Sequence, residues 1–135
     1  MSKIFIDTNI VVYANDSRDP DKQEKARSIV VELIRNGRGV ISTQVLQEYA
    51  HVAVSKLGQD EAVVLRQLKL METLEVVQQT PGMIRRSVEL KKTYGINFWD
   101  ACIVSNAEFA GCDLLYSEDL NTGQFYSGIK VVNPF

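Results

Sequence analysis

The sequence of 135 residues has few of the residues that build zinc sites and disulfide frameworks, namely two cysteines and one histidine. Cys102 and Cys112 are not spaced as a CxxC pair, and no histidine cluster accompanies them, which argues against a zinc site. Both lie in apolar segments, so we expect reduced cysteines in the core. His51 falls on the more polar side of a predicted helix, where we expect a surface or structural role.

Long apolar runs and an excess of one charge are also missing. No segment approaches the roughly 20 apolar residues that a membrane-spanning helix needs, and the N-terminal MSKIF lacks the apolar stretch of a signal peptide. We therefore predict a cytoplasmic protein without membrane contact. The net charge of −2 does not indicate nucleic-acid binding, but it does not exclude it, because a local basic stripe or bound metal ions can supply the field that attracts phosphates.

The composition that remains, 45% hydrophobic and 24% charged, is typical of a globular protein. A chain of this length can form one core, and we predict a single domain over residues 1–135. Short apolar segments alternate with one or two amphipathic helical patterns, which indicates an α/β sandwich around a mostly parallel sheet. The predicted strands are 3–6, 39–42, 75–78, 113–117 and 129–132, and the predicted helices are 10–15, 22–36, 44–57, 60–74, 81–94 and 98–110. Residues 118–128 are predicted to form a loop.

Polar residues before these helices predict their first turns. The expected caps are Thr8 or Asn9 for the first helix, Ser42 or Thr43 for the third, Thr80 followed by Pro81 for the fifth, and Asn97 for the last. Gly37, Gly58, Gly95 and Gly111 are expected to end helices.

Two acidic residues directly follow predicted strands. Asp7 ends the first strand, and Asp119 follows the strand DLLYS with Glu118 beside it. Ligands of open parallel sheets bind beyond the carboxyl ends of the strands, which makes both residues candidates for a binding site. The alternatives are an Asx turn or helix cap for Asp7 and a surface turn for Asp119.

Two further acidic residues lie on predicted helices. Glu48 falls at the border of the apolar stripe of its helix, and the alternative is a surface glutamate whose stem covers apolar neighbours. Asp100 lies near the centre of the apolar face of its helix, one turn toward the N-terminus. The alternative for Asp100 is a capping-box variant with Asn97, although a cap does not need to face the core.

The topology allows all four acids to converge on one edge of the sheet. Several carboxylates in a partly buried site repel one another, and a divalent cation removes that repulsion. Mg²⁺ and Mn²⁺ prefer oxygen ligands, and acidic clusters that hold such ions hydrolyse phosphodiesters with a metal-activated water. The sequence therefore favours a metal-dependent phosphodiesterase.

Four segments in this order, FIDTN, QEYA, NFWDACIVSNA and LLYSEDL, resemble a PIN-domain ribonuclease of the VapC-toxin type. The resemblance covers essentially the whole chain and rests on the ordered set, since no single segment is specific. It implies a three-layer α/β/α sandwich with a mostly parallel central sheet and an acidic site that binds Mg²⁺ or Mn²⁺ to cleave RNA.

The resemblance also implies roles for individual residues. Asp7, Glu48, Asp100 and Asp119 would be the catalytic metal ligands. Ser117 stands at a supporting position, and Asn9 stands where a polar residue braces the first aspartate. The segment EDLNTGQ departs from the commoner toxin form, which makes Asp119 and the neighbouring Glu118 the least certain assignments. A homodimer and an antitoxin protein are the implied partners.

Two other functions are considered. A phosphatase of the haloacid-dehalogenase type also begins with a strand ending in Asp, but it needs a second Asp where this chain has Asn9. A non-catalytic binding module of the same PIN-like fold is the other alternative, although acids at all four positions argue against it. Phe98 and Trp99 are expected to be packing anchors at a helix start, with base stacking as the alternative for an exposed ring.

Overall fold

A six-stranded sheet forms the centre of the computed structural model, which describes residues 2–135. Its strands are β1 (Ile4–Ile6), β2 (Gly39–Ser42), β3 (Glu75–Val77), β4 (Leu114–Tyr116), β5 (Phe125–Tyr126) and β6 (Ile129–Val132). The order across the sheet is β3-β2-β1-β4-β6-β5. All neighbouring strands are parallel except β5, which is antiparallel to β6.

Six helices connect these strands: α1 (Thr8–Ala14), α2 (Pro20–Asn36), α3 (Thr43–Ser55), α4 (Glu61–Met71), α5 (Pro81–Tyr94) and α6 (Phe98–Phe109). The chain moves outward from β1 to β3 and then returns to β4, so right-handed crossovers place α1 to α4 on one face and α5 and α6 on the other. Helix α1 contacts α2 and α3, and α5 contacts α6. The predicted α/β/α sandwich with a mostly parallel sheet is confirmed.

The central strands are buried on both faces, as parallel strands between two helical layers must be. Ile4, Phe5 and Ile6 of β1 are all buried, which explains why this strand is a continuous apolar run. Cys102 and Cys112 are free and buried, in agreement with the sequence. Among residues 2–135, no helix combines the length and the apolar character needed to cross a bilayer.

The predicted N-terminal caps are present with one exception. Of the glycines expected to end helices, Gly37 and Gly95 are C-caps, whereas α3 and α6 end with the C-caps Lys56 and Ala110. Ser42, Thr80 and Asn97 cap α3, α5 and α6, each by accepting a hydrogen bond from a backbone N–H of the first turn. The cap of α1 is Asp7, and the prediction of Thr8 or Asn9 was wrong. Asp7 both ends β1 and accepts from the first N–H group of the helix, which agrees with the helix cap given above as its alternative role.

The predicted loop 118–128 contains strand β5, which the sequence analysis missed. Phe125 pairs with Lys130 and Tyr126 with Ile129. The connecting residues Ser127 and Gly128 both have positive φ, 52° and 81°, the geometry of a type I′ hairpin turn. A strand of two residues is too short to show alternating apolar and polar residues. The Ser-Gly pair of the turn was therefore the one sequence signal for this hairpin.

Candidate metal centre

Strands β1 and β4 bring the first two parts of the site together. They are adjacent and parallel, and Ile6 is in register with Tyr116. The next residues of the two strands, Asp7 and Ser117, therefore lie side by side beyond the carboxyl edge of the sheet. The backbone N–H of Asp7 donates to the carbonyl of Tyr116 at 3.0 Å, which extends the strand pairing to the site itself.

Asp7 is the most buried of the acids, with 3% of its surface exposed. Its Oδ1 accepts a hydrogen bond from the N–H of Thr8 at 2.7 Å, and its Oδ2 accepts from the hydroxyl of Ser117 at 2.7 Å. Ser117 is fully buried, so its hydroxyl is held in place by the surrounding core. These two bonds fix the orientation of the Asp7 carboxylate.

Asp100 comes from the opposite layer, in the first turn of α6. The side chain of Asn97 accepts from the N–H of Asp100 at 2.9 Å and donates to its Oδ2 at 2.9 Å. The capping interaction and the position near the site thus coexist, because the cap uses one carboxylate oxygen and leaves the other available.

Asp119 completes a group of three acids. It is exposed, and its N–H donates to the hydroxyl oxygen of Ser117 at 3.1 Å, which ties the loop after β4 to the same serine that orients Asp7. Asp7, Asp100 and Asp119 each offer a carboxylate oxygen, and these atoms all lie within 4.8 Å of one another. Three residues that are distant in sequence therefore share one small volume.

Burial and mutual repulsion raise the pKa values of two of these acids. Burial raises the pKa of Asp7 from 3.8 to about 7; hydrogen bonds from Ser117 and Thr8 oppose this, and the charges of Asp119 and Asp100 add to it. Burial also raises the pKa of Asp100, and the charges of Asp119 and Glu48 add to that increase, whereas Asn97 lowers it. A nearby cation would favour the ionised form of both groups.

Glu48 lies beside the group and is not one of its three members. Its Oε1 accepts from the hydroxyl of Thr8 at 2.7 Å, and the Gln44 amide lies 3.4 Å from the same oxygen. Its charge contributes to the raised pKa of Asp100. Thr8, which the sequence analysis considered only as a helix cap, is the residue that orients Glu48.

Asn9 does not brace Asp7 through a hydrogen bond as the resemblance implied, and Glu118, whose role the sequence left open, pairs outside the group. The side-chain oxygen of Asn9 accepts from the N–H of Glu118 at 3.4 Å, and within residues 2–135 it makes no hydrogen bond to Asp7. Asn9 therefore supports the loop that carries Asp119. The carboxylate of Glu118 forms an ion pair with Lys22 at 2.6 Å, which holds it outside the group.

A buried amide network that the sequence analysis missed joins α3 to the start of α6. Gln44 is 4% exposed, and its Nε2 donates to the backbone carbonyl of Trp99 at 3.2 Å. Its Oε1 accepts from Gln79 at 3.1 Å and lies 3.4 Å from the amide of Asn106. Gln44 is one helical turn before Glu48, so the sequence spacing alone places the two side chains on the same face of α3. The network fixes the backbone next to Asp100.

The structure corrects the interpretation of one aromatic residue and supports that of the histidine. Trp99 is 64% exposed and is not a packing anchor, whereas Phe98 is half-buried. The apolar face of α6 points inward from Ala101 onward, so the residue before Asp100 falls on the outside. His51 is exposed, as expected for a surface residue.

The donor set fits a hard divalent cation. An octahedral Mg²⁺ with ligands at about 2.1 Å places opposite ligand atoms about 4.2 Å apart, close to the spread of the three carboxylate oxygens. All three donors are oxygens, which suits Mg²⁺ or Mn²⁺ better than zinc. Asp7, Asp100 and Asp119 would hold the ion through these oxygens.

Comparison with known proteins agrees with this architecture. The PIN domain family matches residues 4–126. No curated protein sequence matches the chain significantly. A toxin–antitoxin complex from Klebsiella pneumoniae superposes with a TM-score of 0.72 at 22% identity, over 99% of this chain and 98% of that one.

Two further structures are similar over most of their length. VapC20 of Mycobacterium tuberculosis, a sarcin-ricin loop cleaving toxin, has a TM-score of 0.69 at 19% identity, over 87% of this chain and 90% of that one. DNA-bound VapBC from Salmonella typhimurium has a TM-score of 0.70 at 18% identity, over 97% of both chains. At these identities the similarity establishes the fold.

Proposed function

Because the chain belongs to the PIN domain family, we propose that it is an endoribonuclease of the VapC-toxin type that requires Mg²⁺ or Mn²⁺. The observation that carries this proposal is the meeting of Asp7, Asp100 and Asp119 within 4.8 Å at the carboxyl edge of the sheet. One similar structure is that of a sarcin-ricin loop cleaving toxin, which makes RNA the first substrate to test.

In this proposal the three aspartates hold the ion. A divalent cation in such a site supplies a Lewis acid that activates water and stabilises the charge that develops on the phosphate. Glu48 is the fourth acid of the site. Because Mg²⁺ usually retains several waters, a carboxylate just outside the group can act by accepting a hydrogen bond from water. Thr8 holds Glu48 in that orientation.

The hydroxyl groups at the site are not free to attack the phosphate. Ser117 is fully buried and donates its proton to Asp7, and Thr8 donates to Glu48. A nucleophile needs an accessible oxygen and a base that can take its proton during attack. Water is therefore the nucleophile in the proposed reaction, and a covalent enzyme intermediate is not expected.

An RNA-cleavage assay with and without Mn²⁺ tests this function. Wild-type protein is expected to cleave RNA only with the ion, and Asp7→Asn and Asp100→Asn are each expected to lose at least about 100-fold in rate. Asp113→Asn is the matched control, because this exposed aspartate precedes β4 and lies at the opposite edge of the sheet. Activity that survives both site substitutions, or that all three substitutions reduce equally, contradicts the proposal.

The same assay separates the proposed enzyme from a non-catalytic binding module of this fold. A binding module would leave RNA intact under all metal conditions. Release of phosphate from small monoesters without RNA cleavage would instead favour the phosphatase alternative, for which Asn9 lacks the required carboxylate.

The partners follow from the same proposal. We propose a homodimer, which the family resemblance implies, and an antitoxin that blocks the acidic site, because similar structures include a toxin–antitoxin complex and a VapBC assembly. Light scattering of the purified chain tests the dimer. An antitoxin is expected to abolish RNA cleavage when it is added in equal amount. The cytoplasmic location that the sequence predicts would give such a toxin access to RNA.

A further inference from the structure

We propose that Trp99 is a stacking platform for a base of single-stranded RNA that binds across the three aspartates. This inference rests on the proposed function, because it names a substrate contact of the same site. It assigns a binding role to a residue that holds neither the ion nor the reacting atoms.

The position of the ring is the first observation. Trp99 immediately precedes the half-buried Asp100 and is 64% exposed, although α6 is buried from Ala101 to Ala107. Its ring packs against that of Phe98 with a centroid distance of 5.3 Å and an interplanar angle of 74°. Phe98 thus supports the indole from the side while most of its surface stays open to solvent.

The backbone beneath the ring is fixed. Gln44 is buried and donates to the carbonyl of Trp99 at 3.2 Å, and its amide lies 3.4 Å from Glu48. The same side chain therefore sets the position of Trp99 relative to an acid of the site. A platform that is ordered before binding loses less entropy when the ligand arrives.

The charge of the site favours stacking over contact with the RNA backbone. The three aspartates and Glu48 are all acidic, so the site itself attracts phosphates only through a divalent ion that it would hold. A flat aromatic surface binds any base through its π-face and needs no positive charge. Trp99 would supply the attraction that the acidic surroundings do not.

Fluorescence provides a direct test, because Trp99 is the only tryptophan of the chain. The probe is a cleavage-resistant phosphorothioate oligoadenylate of about twelve nucleotides, titrated in Mg²⁺ into the wild-type protein so that the metal group stays intact and cleavage does not interfere. Saturable quenching is expected. A ribose-phosphate oligomer of equal length without bases is expected to leave the emission unchanged. No quenching by the oligoadenylate, or equal quenching by both oligomers, overturns the proposal.

Substitution gives an independent measurement on the protein with an intact metal group. Trp99→Leu is expected to weaken RNA binding and raise KM by about 10- to 100-fold with little change in kcat, and Trp99→Phe is expected to restore most of the loss. Phe109→Leu is the matched control, because Phe109 is a similarly exposed aromatic residue, 66%, at the other end of α6. Equal effects of Trp99→Leu and Phe109→Leu overturn the proposal.

The remaining outcomes separate this inference from the proposed function. Base-dependent quenching without RNA cleavage by the wild type supports stacking and contradicts the ribonuclease. If the wild type cleaves RNA and Trp99→Leu cleaves it equally well, the stacking proposal is contradicted and the proposed ribonuclease function stands. If Trp99→Leu instead turns a dimer into a monomer in light scattering, a second copy of the chain covers the ring, and the proposal is overturned.

Discussion

The hydroxyl of Ser117 donates a hydrogen bond of 2.7 Å to Oδ2 of Asp7, although the two residues are 110 positions apart in the chain. The contact exists because β1 and β4 are neighbours in register, so that the residues just beyond their ends face each other. It orients the most buried acid of the group. The same serine oxygen accepts from the N–H of Asp119, which couples two of the three aspartates through one side chain.

Removal of this hydroxyl is expected to weaken metal binding while the fold is retained. Ser117→Ala frees the Asp7 carboxylate to rotate and releases the N–H of Asp119, and loss of such an orienting contact typically costs 10- to 100-fold in metal affinity. Calorimetric titration of Mn²⁺ measures the effect. Ser105→Ala is the control, because Ser105 is also buried but donates to the carbonyl of Met83. Equal losses in both variants would show a general packing effect.

The hydroxyl of Thr8 is expected to matter for turnover more than for metal binding. Thr8→Val keeps the shape of the side chain and the backbone bond to Asp7 but removes the 2.7 Å hydrogen bond to Glu48. We expect kcat for RNA cleavage to fall by about 10-fold and Mn²⁺ affinity to change by less than about 3-fold. Thr8→Ser keeps the hydroxyl and should retain activity. A large loss of Mn²⁺ affinity in Thr8→Val would place Glu48 among the ligands.

The architecture could be predicted from the sequence because each strand and helix is marked by a pattern within its own segment. Buried parallel strands are apolar runs, amphipathic helices show a period of 3.6, and Gly37 and Gly95 take the positive φ values that end their helices. The pattern of strands and helices then fixes which strand ends share an edge. Strand β5 was missed because two residues carry no period, and its position depends on pairing with β6.

The candidate site was less predictable because it depends on distances between side chains. The sequence suggested four acids as metal ligands, with Asp119 the weakest match, and the structure separates Glu48 from the other three. It could not indicate that Thr8 points to Glu48, that Asn9 supports the following loop, or that Lys22 holds Glu118. Such contacts join segments that are distant in sequence, and no local pattern encodes them.

Glu118 is expected to be dispensable for metal binding even though it precedes Asp119. Its hydrogen bond with Lys22 lowers the pKa of its carboxyl, and the same ion pair holds it away from the group. Glu118→Gln should leave Mn²⁺ affinity and RNA cleavage within about 3-fold of wild type and cost at most about 1 kcal/mol of stability, since the pair is partly exposed. Asp119→Asn is the contrasting variant and should reduce both. Similar losses in the two variants would mean that Glu118 also binds the ion.

Without metal, the protein is expected to be more stable in mild acid than in mild base. The pKa of Asp7 is about 7 in the fold against 3.8 as a reference, so the folded state holds this proton more tightly than the unfolded chain does. The stability that the proton contributes is complete below about pH 4 and is lost as the pH rises through about 7. The raised pKa of Asp100 acts in the same direction. Urea unfolding in EDTA should show a loss on the order of 2 to 3 kcal/mol between about pH 5 and about pH 8.

Substitution of Asp7 identifies the source of this pH dependence. Asp7→Asn cannot ionise, and its side chain can still pair with Thr8 and Ser117, so the variant without metal should exceed wild type in stability at about pH 8, with a smaller difference at about pH 5. Asp113→Asn changes an exposed carboxylate outside the group and should keep the wild-type pH profile. Millimolar Mn²⁺ should stabilise wild type at about pH 8 and do much less for Asp7→Asn, because a ligand that binds only the folded state raises its stability. If the free energy of unfolding of metal-free wild type does not decrease from about pH 5 to about pH 8, ionisation of Asp7 costs the fold little stability and the prediction is contradicted.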